Sequence, residues 1–398
     1  DVMLSDSQKS RALDLVQALM AIPGASGNED AVATFIRDEL LKAGLPADCV
    51  MHDDAHLRCP LPKSTTGNLI VKLPGTQDRP LRLLMAHMDT VPICVGARPV
   101  LQDDRIVPQD KHTGLGADDR AGVATVLFAA TELLSSGLDH GPLTLLFTVQ
   151  EEIGLQGARN LELSKLGKPS LAFNWDGGNP AKLTIGAIGG YRMTIDVRGI
   201  ASHAGVAPER GASAITAAGL AISKLHAAGL IGKIEQGTLH GTSNIGVIEG
   251  GNATNVVADH VQLRAEVRSH DKSTIEALVQ KFEAAFTEAA NEIANVDGQT
   301  ASVTFDGDLN YEPFKMSADN PSVQMASHIL TQMGMEPVNA IANGGLDANW
   351  LFRHGIPAVS LGCGQHNQHM TSEMLDVSQF HTACEVALRI ARGEGGTE

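Results

Sequence analysis

Five side chains of the types that bind divalent metal ions are spread along this sequence: His87, Asp118, Glu152, Asp176 and His369. Most of them lie where an apolar segment ends, which is where a parallel sheet delivers its functional groups. Two imidazoles and three carboxylates form the nitrogen and oxygen set that suits a pair of divalent ions, zinc above all. The residues by themselves predict a metal-dependent reaction.

Taken singly, each of these positions has an ordinary structural explanation. The acidic pair Asp118-Asp119 is of a kind common at helix N-termini, and Asp176 before two glycines is typical of a turn. The pair Glu151-Glu152 at a strand end is harder to explain, because adjacent like charges are unfavourable unless cations neutralise them or one is protonated. Their joint occurrence favours a metal site.

The residues near His87 and His369 bear on how these two histidines could bind a metal. Asp89 stands two residues after His87, and alternate residues of an extended chain point to the same side. Asp89 could then accept the free ring N–H of His87 and fix the tautomer that binds a metal. Near the C-terminus, His366 competes with His369 for any ligand role.

The elements that position these residues alternate between strand and helix. Apolar patterning predicts strands over 68–73, 81–86, 143–149, 171–174 and 358–361, and helices over 121–134 and after Pro321. Continuous apolar strands separated by helices predict an α/β fold, with a mostly parallel sheet covered by helices on both faces. Ser26 and Glu29 have the spacing of a capping box that would open a further helix.

The pattern changes in the middle of the chain. Segments 191–197 and 260–269 alternate apolar and polar residues, as half-exposed antiparallel strands do. Long amphipathic helices are predicted over 211–228 and 271–295, interleaved with these strands.

This change predicts a domain boundary. The α/β pattern returns after Phe305. We therefore predict a catalytic domain formed by residues 1–187 and 306–398, interrupted by an inserted α+β domain over 188–305. A chain of 398 residues is too long for one compact core, which agrees with this division.

Composition excludes several classes of partner. The formal net charge of −16 repels phosphate backbones and anionic lipids, and 4% aromatic residues are too few for a stacking platform. We therefore expect no nucleic-acid and no membrane partner. The five cysteines include no Cys-x-x-Cys pair, which argues against a disulfide framework or a thiolate zinc site. With no export signal visible and no apolar segment of membrane-spanning length, a cytoplasmic location is expected.

Longer motifs surround the candidate residues, at 116–122, 148–154, 202–209, 250–257 and 344–347, and in His369-x-x-x-Glu373. In this order they resemble the co-catalytic zinc metallopeptidase family of peptidase T, aminoacylases and glutamate carboxypeptidase. The peptidase T-like branch is the most similar. The resemblance implies a zinc-peptidase-like α/β domain carrying an inserted lid that also forms a homodimer.

The resemblance also implies a role for each residue of the metal set. His87 and Asp176 would hold one metal, Glu152 and His369 the other, and Asp118 would bridge both. His369 is preferred over His366 because the family's ligand stands four residues before a glutamate. The metals would be two divalent ions per subunit, most simply zinc, with cobalt or manganese as alternatives.

Roles outside the metal set follow from the same resemblance. Glu151 would be the general base and Asp89 would orient His87, while the Asp118–Asp119 peptide would be cis. His203, supplied by the other subunit, would stabilise the oxyanion.

The substrate would be held from the inserted domain. Asn255 and Arg268 are candidate contacts for the main chain and the C-terminal carboxylate of a substrate. Taken alone, Arg268 is equally well explained as an exposed arginine on a strand.

These roles predict a specific reaction. A water held between the two metals, with Glu151 as base, would hydrolyse a peptide bond and release the N-terminal residue of short peptides, especially tripeptides. An N-acyl-amino-acid amidohydrolase or a carboxypeptidase would use the same site on a different amide. An inactive metal-binding scaffold protein is the alternative of another class.

Overall fold

The computed structural model describes residues 3–61 and 63–394. The chain divides into two compact units, Asp1–Ala187 with Lys315–Glu398, and Ile188–Phe314. The first boundary coincides with the predicted one. The second lies nine residues later than predicted, because the strand Ser302–Tyr311 pairs with the strand Gly189–Arg198 and belongs to the second unit.

The strands follow one another in this order: β1 Val50–His52, β2 Leu69–Leu73, β3 Arg82–His87, β4 Pro99–Gln102, β5 Arg105–Pro108, β6 Leu143–Thr148, β7 Leu171–Trp175, β8 Lys182–Ala187, β9 Gly189–Arg198, β10 Gly232–Gln236, β11 Leu239–Gly250, β12 His260–Ser269, β13 Ser302–Tyr311, β14 Phe314–Lys315, β15 Val338–Ala342, β16 Val359–Leu361, β17 Gln365–His366 and β18 Met374–Asp376. The helices are α1 Asp6–Ala21, α2 Asp30–Lys42, α3 Ala117–Ser136, α4 Gln156–Arg159, α5 Ala214–Ala227, α6 Lys272–Glu292, α7 Pro321–Gln332, α8 Ala348–Arg353 and α9 Val377–Arg392.

The first unit is built on a mixed sheet in which the order is β1-β2-β6-β3-β7-β16-β8, with β15 also paired to β8. Its centre is parallel, since β3 pairs in parallel with β6 and β7, and β16 with β7. The side with β1 and β2 is antiparallel. The apolar patterning could not predict this, because it does not distinguish parallel from antiparallel strands. Every residue of β3, β6 and β7 is buried, as expected for strands covered on both faces.

Helix α3 packs against the centre of this sheet, on β3 and β7, and contacts α1 and α9. It is buried along most of its length, which explains its apolar composition. Regular helix geometry begins at Arg120, because Asp118 and Asp119 have non-helical dihedral angles. The first turn is therefore an irregular segment that presents two carboxylates instead of a simple helix start.

The predicted capping box at Ser26 and Glu29 is wrong. Helix α2 starts at Asp30, and its N-cap residue, Glu29, makes no side-chain capping bond. The Ser26 hydroxyl donates to Asp89 instead. The Glu29 carboxylate accepts the backbone N–H groups of Gly27 and Gln150. Both side chains serve contacts with the candidate site.

A small antiparallel sheet of order β17-β18-β5-β4 was not predicted, because its strands are only two to four residues long. Strands β17 and β18 pair with each other and enclose the segment 367–373, which carries His369. This hairpin determines where that histidine lies.

The second unit is an antiparallel sheet of order β10-β11-β12-β9-β13 with helices α5 and α6 packed against it. The alternation predicted for β12 is confirmed, with Val261, Leu263, Ala265 and Val267 buried. These residues share a core with Phe282 of α6.

None of the helices in the described ranges combines the length and the apolar character needed to cross a lipid bilayer.

Candidate active site

The candidate residues converge at the carboxyl edge of the first unit's sheet. His87 ends β3, Glu152 follows β6 and Asp176 follows β7 directly. Because β3, β6 and β7 are parallel neighbours, their C-terminal ends meet at one edge. Asp118 joins them from the first turn of α3, and His369 joins them from the β17–β18 hairpin.

Asp118 lies between the two histidines. One of its carboxylate oxygens is 3.1 Å from His87 Nε2 and the other is 3.2 Å from His369 Nε2. His369 Nε2 is also 3.0 Å from the carboxylate of Glu152, and His87 Nε2 is 4.0 Å from that of Asp176. The five residues therefore form one cluster, in which Asp118 faces both histidines.

The environment of His87 selects its tautomer. Its Nδ1 atom lies 3.0 Å from the backbone carbonyl oxygen of Asp89, which only accepts, so Nδ1 carries the proton. Nε2 is left to face the carboxylates. The Asp89 carboxylate, which was predicted to make this contact, lies farther away at 3.4 Å.

The Asp89 carboxylate has a second task. It accepts the backbone N–H groups of Glu151 and Glu152, at 3.0 and 3.1 Å, and the hydroxyl of Ser26. Asp89 thereby connects the end of β3 to the segment that carries both glutamates. Glu151 projects toward His87, with its carboxylate 3.9 Å from Nε2.

Glu373 holds the segment that leads to Asp118, a role that sequence reasoning did not assign. Its buried carboxylate accepts the backbone N–H groups of Leu115 and Gly116 through one oxygen and that of Asp118 through the other, at 2.7 to 3.0 Å. The glutamate of His369-x-x-x-Glu373 therefore connects the two segments that bear His369 and Asp118.

Replacing Glu373 by glutamine should destabilise the protein. A glutamine has one acceptor oxygen, so its NH₂ group would face a backbone N–H of the 115–118 segment and leave that donor unpaired. Loss of a buried charge-assisted hydrogen bond costs about 1.5–3 kcal/mol. Chemical denaturation of Glu373→Gln and of the exposed control Glu336→Gln measures this. Equal midpoints for both variants would contradict the role given to Glu373.

Asp119 is a fully buried carboxylate next to Asp118. It groups geometrically with His87 and Asp176, whereas Asp118 groups with His87 and Glu152. Its oxygens already accept the backbone N–H groups of His87 and Gly122 and the side-chain amide of Gln365, at 2.7 to 3.1 Å. Because these three hydrogen bonds occupy its oxygens, Asp119 holds the surrounding backbone in position, and Asp118 is the aspartate that faces the cluster. The peptide bond between the two aspartates is cis, as the resemblance implied.

The cluster carries an excess of buried negative charge. Burial, followed by repulsion from Asp118, raises the pKa of Asp176 to about 8. Burial also raises the pKa of Glu151 well above its usual value and that of Glu152 in the same direction. His369 donates to the carboxylates of Asp118 and Glu152, and these hydrogen bonds raise the pKa of His369 to about 10.

These shifts indicate which ligand fits. The raised pKa values of Asp176, Glu151, Glu152 and His369 favour the protonated forms of these groups, because a proton offsets the excess negative charge. Divalent cations at the same oxygens and Nε2 atoms would supply that charge and replace the protons. The donor set is nitrogen and oxygen, so the residues present fit zinc, cobalt or manganese.

His366 does not join the cluster. Its Nε2 atom lies 2.9 Å from the side-chain oxygen of Gln379. The choice of His369 over His366 therefore agrees with the observed geometry.

Three of the predicted residues lie in the second unit. The exposed His203 accepts the backbone N–H of Gly205 at Nδ1, which leaves Nε2 with the proton. The Ala204 N–H donates to the carbonyl oxygen of Asn255 at 2.9 Å, so the segments of His203 and Asn255 lie side by side. Arg268 makes two bonds to Glu266, at 2.9 and 3.1 Å.

Asp347 is another buried residue beside the cluster that was not predicted. One of its carboxylate oxygens accepts the hydroxyl of Thr148, while no residue within 3–61 or 63–394 donates a hydrogen bond to the other. Burial raises its pKa to about 6. The motif at 344–347 was the available signal, but it indicated no role for the aspartate.

Comparison with known proteins agrees with this geometry. Residues 83–393 match the sequence profile of Peptidase family M20/M25/M40. The chain belongs to this family. The protein YqjE of Bacillus subtilis is 36% identical over 325 residues, which cover 81% of this chain and 84% of that protein.

Two solved peptidase structures are similar over nearly the whole chain. A tripeptidase from Staphylococcus aureus is 29% identical with a TM-score of 0.85, covering 96% of this chain and 98% of that one. The aminopeptidase PepT from Bacillus cereus is 32% identical with a TM-score of 0.82, with the same coverage of both chains. The chain is accordingly a metallopeptidase of the peptidase T-like branch of the M20 family.

Proposed function

We propose that this chain is a two-metal peptidase that removes the N-terminal residue of short peptides, with tripeptides as the main substrates. The observation that carries the proposal is Asp118, whose two oxygens face His87 and His369 at 3.1 and 3.2 Å. A carboxylate between two imidazoles is the arrangement required to share one ligand between two ions. The similarity to a tripeptidase and to an aminopeptidase supports the choice of substrate.

The metal ligands proposed here are those of the cluster. His87 and Asp176 would hold one ion, Glu152 and His369 the other, and Asp118 both. The bound ions would supply Lewis-acid activation of the attacking water and of the scissile carbonyl group. The Nδ1 contact of His87 with Asp89 keeps Nε2 free for a ligand role, and Asp119 and Glu373 keep the neighbouring backbone in position.

Glu151 is the proposed general base. It is placed beside the cluster, its backbone is held by Asp89, and burial raises its pKa well above the usual value. A carboxylate in such a place takes a proton from water and returns it to the departing amine. Because Glu151 is not needed as a ligand, it remains available for both transfers.

The second unit supplies the other proposed contacts. It would act as a lid and form the interface of a homodimer, and the Nε2 proton of His203 would be donated to the oxyanion in the other subunit's site. Asn255 would bind the substrate main chain. Arg268 is paired with Glu266, so it would have to break that ion pair before it could bind a substrate carboxylate.

A substrate panel tests the proposal. Tripeptides, dipeptides and N-acetylated amino acids are offered to the protein with added zinc, cobalt or manganese. Fastest release of the N-terminal residue from tripeptides supports the proposal. Preference for acetylated amino acids would indicate an amidohydrolase, release of the C-terminal residue a carboxypeptidase, and no turnover with metal bound a scaffold protein.

The dimer leads to a separate expected result. His203→Ala and Glu151→Gln proteins should each be nearly inactive, yet mixing them with subunit exchange should restore about a quarter of wild-type activity. Half of the exchanged dimers are hybrids with one complete site, since each site takes His203 from one subunit and Glu151 from the other. The activity of the mixture, with exchange verified by mass labelling, measures this. Persistent inactivity would mean that His203 acts within its own subunit or not at all.

A further inference from the structure

A pocket of about 320 Å³ lies beside Asp176, within the first unit. Its wall includes the turn after β7, residues Lys182 and Thr184 of β8, and the glycine-rich segment 344–346. No role proposed above uses this pocket. Because Asp176 belongs to the metal cluster, a substrate held at the cluster has this pocket as an immediate neighbour.

Much of the pocket wall is backbone. A Cβ atom on Gly362 would lie 2.3 Å from the carbonyl oxygen of Asn179, so only glycine permits this close approach. A Cβ atom on Gly344 would meet no atom within 4 Å, so this glycine borders open space. The backbone of Gly362 therefore packs directly against that of Asn179, while Gly344 leaves its part of the wall without a side chain.

Among the described residues that line this wall, Lys182 is the one cation. It is exposed, and among the residues described here it has no ion-pair partner. Thr184 is two residues further along the same strand, so both side chains extend from the same side of β8. An ammonium group and a hydroxyl are thus presented together toward the cavity.

The wall carries charges of both signs, because Asp176 lines the pocket together with Lys182. The adjacent cluster is acidic, and the whole chain has a formal net charge of −16. An unpaired ammonium group in a pocket discriminates strongly between a carboxylate and a neutral amide, because only the former makes a charge-assisted hydrogen bond.

We propose that this pocket is a substrate subsite that binds a carboxylate of the peptide through Lys182, with Thr184 as a second donor. This proposal rests on the peptide hydrolysis proposed above, and it specifies that the preferred peptides carry a carboxylate at this position. Two sources provide that chemistry: the free C-terminal carboxylate of a short peptide, and the side chain of an aspartate or glutamate residue. The first source would also limit the length of the substrate.

Measuring peptide binding to a variant that lacks the proposed general base tests the subsite independently of hydrolysis. Calorimetry is carried out on zinc-loaded Glu151→Gln protein, with and without Lys182→Met, using trialanine, trialanine amide, and tripeptide amides with glutamate or glutamine at each position. Lys182→Met should weaken binding of the carboxylate-bearing member of a pair by roughly 10–100-fold and leave its neutral partner unchanged. Methionine keeps the length of the stem while removing the charge.

The pattern across the peptides identifies the source. An effect confined to trialanine indicates the C-terminal carboxylate, and one confined to a glutamate peptide indicates an acidic side chain. The control Lys168→Met, an exposed lysine outside the pocket, should leave every ratio unchanged. An equal change for charged and neutral peptides, or no change, overturns the proposal.

Turnover of the same peptides by the wild-type protein is measured separately. Lys182-dependent binding without hydrolysis would reject the proposed peptidase activity and keep the subsite. Hydrolysis without Lys182-dependent binding would support the proposed peptidase activity and reject the subsite.

Discussion

Replacing Glu151 by glutamine is expected to reduce kcat by roughly 10²–10⁴-fold, the usual effect of removing a general base. Glutamine keeps the size of the side chain but cannot take a proton. The backbone bond from Glu151 to Asp89 is unaffected, so the loop should stay in place. Metal content should remain at the wild-type level, because none of the five proposed ligands is changed.

Glu152→Gln is the matched control for this variant, since it makes the same chemical change one residue away. The carboxylate of Glu152 lies 3.0 Å from His369 Nε2, inside the cluster. A neutral amide is a poorer ligand for a divalent ion than a carboxylate, so this variant should lose metal. Measuring kcat and bound metal on both proteins distinguishes base from ligand. If Glu151→Gln lost metal while Glu152→Gln retained it, the two roles would be exchanged.

Removal of metal by a chelator is expected to abolish hydrolysis and to leave the far-UV circular dichroism nearly unchanged. The candidate ligands lie at the edge of a sheet whose strands β3, β6 and β7 are wholly buried. This core does not depend on the cluster, in contrast to a zinc finger, which its metal folds.

The control for this experiment is recovery of activity when zinc, cobalt or manganese is added back to the chelated protein. Recovery also shows which ions the site accepts. Full activity in a protein shown to be free of metal would reject the two-metal proposal. Loss of the circular dichroism signal together with activity would show that the metals hold the fold as well.

The candidate site residues could be predicted from the sequence because their positions follow from simple patterns. His87, Glu152 and Asp176 stand at or just after the ends of apolar segments, and parallel strands bring such ends to one edge. The alternation of β12 likewise predicted which of its residues are buried, because the side-chain period of a strand is two.

Local pattern was misleading where a side chain had a distant partner. Ser26 and Glu29 have the spacing of a capping box, yet they bond to Asp89 and Gln150, 63 and 121 residues away. A capping interaction and a long-range contact satisfy the same polar atoms, and nothing within the segment itself tells which one the folded chain uses.

The second domain boundary was predicted nine residues too early, because the alternation of apolar and polar residues does not continue through strand β13. The burial of strand β13 alternates over residues 302–306 but not over 307–311, so the place of its second half in the second unit follows from its pairing with β9. The four short strands that hold the His369 segment are below the length at which periodicity can be recognised.

The reaction class could be predicted from the sequence, because the types of the candidate ligands and their order along the chain can be read from it directly. The way in which those candidate ligands are supported depends on contacts that form when the chain folds. Glu373 bonds to Leu115, 258 residues away, Asp119 bonds to Gln365, and Lys182 reaches a pocket completed by segment 344–346. Each of these contacts joins residues whose separation along the chain carries no periodic signal, so folding alone brings them together.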